Sequence, residues 1–177
     1  MNIKTFYFNP FRECTYIVQD GDNTIIIDPG MLTEKEQARF KEYLDEHHLM
    51  PTHILITHTH EDHICGLNWL QSTMLQTPDT KHQTSPINQL PEGWQLIPTP
   101  GHKEDAVCFY VPSEGILFSG DTLFQESIGR TDLPGGDMSV LIRSLEKLKQ
   151  LPPETIVYPG HGYPTTIAHE IEYNPYL

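Results

Sequence analysis

Short apolar runs separated by turn formers dominate the first third of the chain. Residues 4–8, 15–19 and 24–27 are rich in aromatic and β-branched side chains and read as three strands. Gly21-Asp22-Asn23, between the last two, reads as a hairpin turn. Asp28-Pro29-Gly30 then stops the run. A helix is predicted over residues 33–48, because Thr33 and Glu36 form a capping box and Ala38, Phe40, Tyr43 and Leu44 can share one inward side. Beyond Pro51, residues 53–57 read as a buried strand and residues 64–71 as a short helix. Residues 72–93, polar and rich in Pro, Thr and Gln, predict an irregular loop. Later strands are expected at 95–98, 106–111, 116–119 and 155–158. Between the last two, Val140, Leu141, Leu145 and Leu148 mark the apolar face of a helix. Strands interleaved with helices imply an α/β layered domain. A length of 177 residues suits a single domain, 1–177, with room for a core.

Charge narrows the function classes. The net charge is −13, and the 11 basic residues are scattered rather than clustered. A nucleic-acid binder meets phosphates with a positive face, so that class is disfavoured. No apolar stretch approaches the ~20 residues that cross a bilayer. The start, Met1-Asn2-Ile3-Lys4-Thr5-Phe6, lacks an apolar signal core. Three cysteines, Cys14, Cys65 and Cys108, make an odd number without metal-like spacing and argue against a disulfide framework. A reduced cytoplasmic protein is expected, with no membrane or nucleic-acid partner and with room for a homo-oligomer.

The histidines carry the chemistry. His58 and His60 are two apart at the end of a buried strand, so an extended backbone aims both to one side. Asp62 and His63 follow as the chain turns toward a helix. Three later segments repeat one pattern, an apolar strand and then a tight turn bearing a donor: Gly101-His102, Gly120-Asp121 and Gly160-His161. Each donor directly follows a glycine, which permits backbone conformations that other residues resist. Imidazole and carboxylate donors without thiolate suit zinc or iron(II) in a catalytic rather than a structural site.

The order His-x-His-x-Asp-His, then His, Asp and His, resembles the metallo-β-lactamase superfamily from the Asp28 turn to His161. The resemblance implies an αββα sandwich with two divalent transition metals at its edge, zinc first and iron as the alternative. His58, His60 and His102 would hold the first metal, and Asp62, His63 and His161 the second. Asp121 would bridge the pair together with a water or hydroxide. Within the superfamily, Ser119-Gly120-Asp121-Thr122-Leu123-Phe124, Ser127-Ile128-Gly129-Arg130-Thr131-Asp132 and Pro134-Gly135-Gly136-Asp137 are similar to short, single-domain glyoxalase II-like hydrolases.

That likeness implies thioester hydrolysis of a small molecule by the metal-bridging hydroxide. Asp62 would be both ligand and proton acceptor, and Asp121 would be essential to catalysis. A soft thiolate leaving group suits a site where metal can meet it directly. The best-known β-lactamases carry Cys where Asp121 stands, which argues against antibiotic hydrolysis. Cys65 and Cys108 read as packed apolar residues. Persulfide dioxygenases share the Gly-Arg-Thr-Asp run, so the alternative is a mononuclear iron oxidoreductase of that kind.

Two features depart from the relatives. His102 is followed by Lys103-Glu104-Asp105 rather than a Thr-Pro-Gly-like run, and only 38 residues, 64–101, lie between His63 and His102. Asp28 is expected either to orient a ligand histidine or to cap a turn. Arg130 and Asp132 read first as an ion pair and second as a substrate contact. Lys103 and Arg130 are the only basic residues close to site motifs. His47, His48, His53, His82 and His169 have no motif and read as surface or packed side chains. Glyoxalase II enzymes resemble the chain only up to about His161 and continue into a helical domain that contacts glutathione. This chain stops at Leu177, so weak glutathione binding is expected.

Overall fold

The computed structural model describes residues 1–75 and 87–177. His82 and residues 76–86 of the expected loop lie outside the described residues. The chain divides into two compact units: Met1–Ile56 with His60–Pro91, and Thr57–Thr59 with Glu92–Leu177.

The first unit contains β1 (Asn2–Phe8), β2 (Glu13–Asp20), β3 (Asn23–Ile27), α1 (Glu34–Glu46), β4 (His53–Leu55), α2 (Glu61–Ile64) and α3 (Leu67–Leu75). Its sheet has the order β1-β2-β3-β4. The first two pairings are antiparallel, whereas β3 and β4 are parallel. Parallel neighbours need a crossover, and α1 supplies it. The β2–β3 turn is tighter than expected, since Asn23 already pairs with Asp20 and leaves only Gly21-Asp22 between the strands.

Phe6 and Phe8 alternate onto one face of β1, where Phe40 of α1 meets them edge-on at 5.5 and 6.0 Å. Thr33 caps α1, and the Thr33–Glu36 capping box is complete. Phe40 and Leu44 are buried and Tyr43 packs against the same core, but Ala38 is exposed. Two residues advance a helix by about 200°, which puts Ala38 opposite Phe40.

Several boundaries differ from expectation, two of them for a visible reason. Strand β4 ends at Leu55 because the next backbone groups are taken by a side chain: the Ile56 N–H donates to Asn88 Oδ1 at 2.7 Å, and Asn88 Nδ2 donates to the Ile56 carbonyl at 3.2 Å. The helix expected at 64–71 is two helices, broken where the Gly66 N–H donates to the Pro29 carbonyl at 2.8 Å. Residues 72–75, expected in the loop, belong to α3.

The second unit contains β5 (Gln95–Pro98), β6 (Val107–Val111), β7 (Ile116–Gly120), β8 (Leu123–Phe124), β9 (Ser127–Ile128), α4 (Met138–Leu148), β10 (Ile156–Pro159), β11 (Thr165–Thr166) and α5 (Ile167–Tyr173). Its main sheet has the order β11-β10-β7-β6-β5, and β8 pairs with β9 in a small hairpin. Strands β7 and β10 are parallel, with α4 as their crossover. Helix α4 starts at the Asp137 cap and buries Leu141, Ser144, Leu145 and Leu148, positions spaced to fall on one side. Strands β8, β9 and β11 and helix α5 were not expected. Two-residue strands show no periodicity, and α5 is only seven residues long. Among the described residues no helix is long and apolar enough to cross a membrane.

The aromatic contact of α1 with β1 sets a test. Phe40→Ala is expected to lower unfolding stability by about 3–5 kcal/mol, and Thr33→Ala by about 1 kcal/mol through loss of the cap. Urea unfolding of both variants measures this. Equal effects would show that the core is not anchored at Phe40.

Candidate metal centre

The division into units falls inside the histidine motif. His60, Asp62 and His63 go with the first unit, and His58 goes with the second. Each half therefore has its own local construction.

In the first unit, His60 stands at the N-cap of α2 with extended backbone, φ −70° and ψ 146°. Asp62 and His63 occupy the short helix that follows. His63 is fully buried, and its Nδ1–H donates to Asp28 Oδ2 at 2.9 Å. Its Nε2 lies 3.8 Å from Asp62 Oδ2. Asp28 adopts a left-handed backbone, φ 50°, which costs a non-glycine residue free energy and must be held by its surroundings.

Thr15 does much of that holding. Its hydroxyl donates to the Asp28 carbonyl at 2.7 Å and accepts the Gly30 N–H at 3.0 Å. A hydroxyl has one proton, which the Asp28 carbonyl and Glu13 Oε2 share. Glu13 Oε2 lies 2.9 Å from the same hydroxyl. Burial pushes the Glu13 pKa well above the usual carboxylate range. Asn9 ties the turn to α2, its Nδ2 donating to the carbonyls of Gly30 at 3.1 Å and Asp62 at 2.9 Å.

In the second unit, His58 Nδ1 lies 3.1 Å from Thr57 Oγ1, and the His58 and His102 rings meet edge-on at 4.9 Å. His102 is buried, and its Nδ1–H donates to the Arg130 carbonyl at 2.7 Å. Asp121 follows β7. Its Oδ2 lies 3.5 Å from His102 Nε2 and 3.6 Å from His161 Nε2. Gly101 and Gly120 have positive φ, 136° and 49°, but Gly160 does not. A side chain at Gly120 would also come within 2.4 Å of Thr57 Oγ1. The shared glycine pattern therefore has a conformational cause in two of three places.

These donors fit a cation. The Arg130 carbonyl takes the His102 Nδ1–H, so in the neutral ring Nε2 presents a lone pair to the Asp121 carboxylate oxygen. His63 repeats the arrangement, with Asp28 behind it and Asp62 in front. Lone pair facing carboxylate is repulsive in itself and becomes favourable with a divalent metal between them. Burial pushes the thiols of Cys65 and Cys108 up to about 11.

The remaining expected residues are engaged elsewhere. Arg130 forms a two-pronged ion pair with Asp132, both contacts at 2.7 Å, on side chains that are 60% and 68% exposed. Lys103 donates to Thr59 Oγ1 and lies 3.9 Å from Asp105. His53 is packed, His47 stacks on Tyr43 and His169 pairs with Glu126. Sequence reasoning missed Glu13, Thr15, Asn9 and the Arg130 carbonyl. A charged residue opening the apolar run Glu13-Cys14-Thr15-Tyr16-Ile17-Val18 was a legible anomaly. A backbone carbonyl leaves no mark in the sequence.

Comparisons with known proteins identify the family. A family model for the metallo-β-lactamase superfamily matches residues 10–73 and 76–161. Probable metallo-hydrolase YqgX of Bacillus subtilis is 33% identical over 201 residues, covering 95% of this chain and 93% of its own. Hydroxyacylglutathione hydrolase GloC of Haemophilus influenzae is 31% identical over 212 residues, covering 100% and 98%. Among solved structures, TTHA1623 in a di-iron-bound form has a TM-score of 0.84 at 34% identity, covering 98% of this chain and 100% of that one. The B3 metallo-β-lactamase BLEG-1 has a TM-score of 0.84 at 31% identity, covering 99% of both chains. ETHE1 from Myxococcus xanthus has a TM-score of 0.81 at 29% identity, covering 99% and 84%.

Asp28→Ala removes the acceptor behind His63 and is expected to weaken zinc binding about 10–100-fold. Competition against a chromophoric chelator measures it. Wild-type affinity in a folded Asp28→Ala protein would mean that His63 needs no such partner.

Proposed function

Given that the chain belongs to the metallo-β-lactamase superfamily and is a metal-dependent hydrolase of that fold, we propose that it hydrolyses small thioesters in the manner of glyoxalase II, with two divalent metals. The observation that carries the dinuclear reading is the Asp121 carboxylate. One of its oxygens faces two imidazole nitrogens, at 3.5 and 3.6 Å, from two different sequence motifs. A carboxylate so flanked suits a bridge. In this reading His58, His60 and His102 hold one metal, Asp62, His63 and His161 hold the other, and Asp121 serves both. Zinc is the first candidate and iron the second.

Bound there, the metals supply water activation at neutral pH and Lewis acidity. The protein's own groups do the rest. Asp28 and the Arg130 carbonyl fix the protons of His63 and His102 on Nδ1 and keep Nε2 for coordination. Asp62 would take the proton released from water in this reading. The similarity to a hydroxyacylglutathione hydrolase along nearly its whole length supports a thioester substrate. Free Cys14, Cys65 and Cys108 suit the reducing cytoplasm. The alternative, a mononuclear iron persulfide dioxygenase-like enzyme, draws on Gly129-Arg130-Thr131-Asp132, but the doubly flanked Asp121 favours two metals.

Purified protein reconstituted with Zn²⁺ or Fe²⁺ is expected to hold close to two metals per chain. Asp121→Ala and His60→Ala should abolish hydrolysis, whereas His82→Ala should change it little. Metal analysis at trace level, or wild-type turnover by a folded Asp121→Ala protein, sinks the assignment. Oxygen uptake and sulfite release with glutathione persulfide would favour the iron alternative.

Substrate choice gives a further expectation. The two basic side chains beside site motifs are already paired, Arg130 with Asp132 and Lys103 with Thr59 and Asp105. An anionic glutathione conjugate must compete with those partners, and a net charge of −13 gives no general steering toward it. S-Lactoylglutathione should be hydrolysed with a weak KM, and unrelated small thioesters should compete comparably. Steady-state kinetics on a panel of thioesters, lactones and β-lactams tests this. A low-micromolar KM with strong preference for the glutathione conjugate would overturn it.

A further inference from the structure

One buried carboxylate has no part in the chemistry described so far. Glu170, in α5, is fully buried, 0% exposed, and both of its oxygens are occupied. The Thr165 hydroxyl donates to Oε1 at 2.5 Å. The Glu126 backbone N–H and Asn174 Nδ2 each donate to Oε2 at 2.8 Å. Asn174 Nδ2 also donates to the Ser127 carbonyl at 3.0 Å. The donors come from three separate places: the β8–β9 turn, β11 and the C-terminal end of α5. A buried carboxylate is tolerable only when donors satisfy it, and donors gathered this way are costly to strand.

The hairpin gripped by Glu170 joins two parts of the candidate metal centre. It starts just after Asp121 and ends just before Gly129-Arg130. Glu126, at its turn, has a left-handed backbone with φ 55°, a conformation that needs outside support in a non-glycine residue. Its N–H receives that support from Glu170, and its side chain pairs with His169 Nε2 at 3.0 Å. Gly129 then packs so closely that a Cβ there would lie 1.8 Å from the Asp121 carbonyl oxygen and 3.0 Å from His102 Cβ. The next residue supplies the carbonyl that takes the His102 Nδ1–H at 2.7 Å.

From these contacts we infer that Glu170 is a positioning residue for His102. With Thr165 and Asn174 it clamps the β8–β9 hairpin. The clamped hairpin presents the Arg130 carbonyl at the one place where it fixes the proton of His102 on Nδ1 and turns Nε2 toward Asp121. Helix α5 is thereby coupled to His102 through four hydrogen bonds and the β8–β9 hairpin.

The test uses the full chain with and without Zn²⁺. His102 Nδ1–H is buried and hydrogen-bonded, so it should give a slowly exchanging imidazole proton in NMR spectra, assigned by its absence in His102→Ala. Glu170→Ala is expected to abolish that protected signal and to weaken zinc binding about 10–100-fold, the usual cost of losing a ligand's orienting partner. Glu170→Gln should retain the signal, because its amide oxygen can face Glu126 and Asn174 while its NH₂ donates to the Thr165 hydroxyl. A folded Glu170→Ala protein that melts lower but keeps the signal and the zinc affinity would overturn the inference, leaving Glu170 a purely structural residue. If Glu170→Ala does not fold, Asn174→Ala removes the amide link to Ser127 and Glu170. An unchanged His102 signal in that variant overturns the inference equally. The zinc arm rests on the proposed function and the imidazole arm does not. Absence of zinc binding in the wild-type chain would therefore count against the proposed function, while the NMR comparison still decides the clamp.

Discussion

A histidine serves a metal through one ring nitrogen only when the other is held in its protonated form. That constraint organises the candidate centre of this chain. Asp28 stands behind His63 and accepts its Nδ1–H at 2.9 Å, and the Arg130 carbonyl does the same for His102 at 2.7 Å. In both cases the far nitrogen then points at a carboxylate. The two partners differ in kind. Asp28 brings charge and raises the basicity of its imidazole, whereas a carbonyl brings only a dipole. Each partner is itself fixed by other groups, Asp28 through Thr15, Glu13 and Asn9 in one unit, and Arg130 through the β8–β9 hairpin in the other.

The backbone bears the cost of this placement. Asp28 and Glu126 both lie in the left-handed region, at 50° and 55°, although neither is glycine. Such residues persist where surrounding contacts over-determine them. At Asp28 the carbonyl is bonded by Thr15. At Glu126 the N–H is bonded by Glu170. Side-chain hydrogen bonds from neighbouring elements thus hold two turns in shapes that their own sequences resist. Both turns stand next to the groups that orient a histidine. Strain and function coincide here through hydrogen bonds that can be named.

What the sequence could disclose follows from what leaves a local mark. Aromatic and β-branched runs bounded by turn formers marked β1 to β3, helical spacing with a capping box marked α1, and the strand–turn–donor repeat marked the candidate donors His102, Asp121 and His161. The metallo-β-lactamase fold and the likeness to glyoxalase II-like hydrolases were legible from those motifs. Partners were not. Thr15 looks like any strand threonine, and only its position under the Asp28 turn gives its hydroxyl a role. The clamp at Glu170 was illegible for a related reason: two-residue strands and a seven-residue helix carry no period to read. Ala38 was placed inward by spacing alone, yet helix geometry turns it away from Phe40.

The same hydrogen bonds bear on how binding and chemistry are divided. Asp28, Thr15 and Glu13, behind His63, are buried. The cations that could recognise a substrate's remote charges, Arg130 and Lys103, are instead tied to partners on more exposed side chains. Arg130 spans both regimes. Its backbone carbonyl fixes His102, while its guanidinium is held by Asp132. A substrate that drew the guanidinium away from Asp132 would pull on the residue whose carbonyl sets the imidazole. Remote binding is used best when it stabilises the transition state more than the ground state. With Gly129 packed against Asp121 and the hairpin held by Glu170, the Arg130 backbone has little freedom to follow its side chain. The architecture thus insulates the metal-facing geometry from whatever the side chain of Arg130 binds.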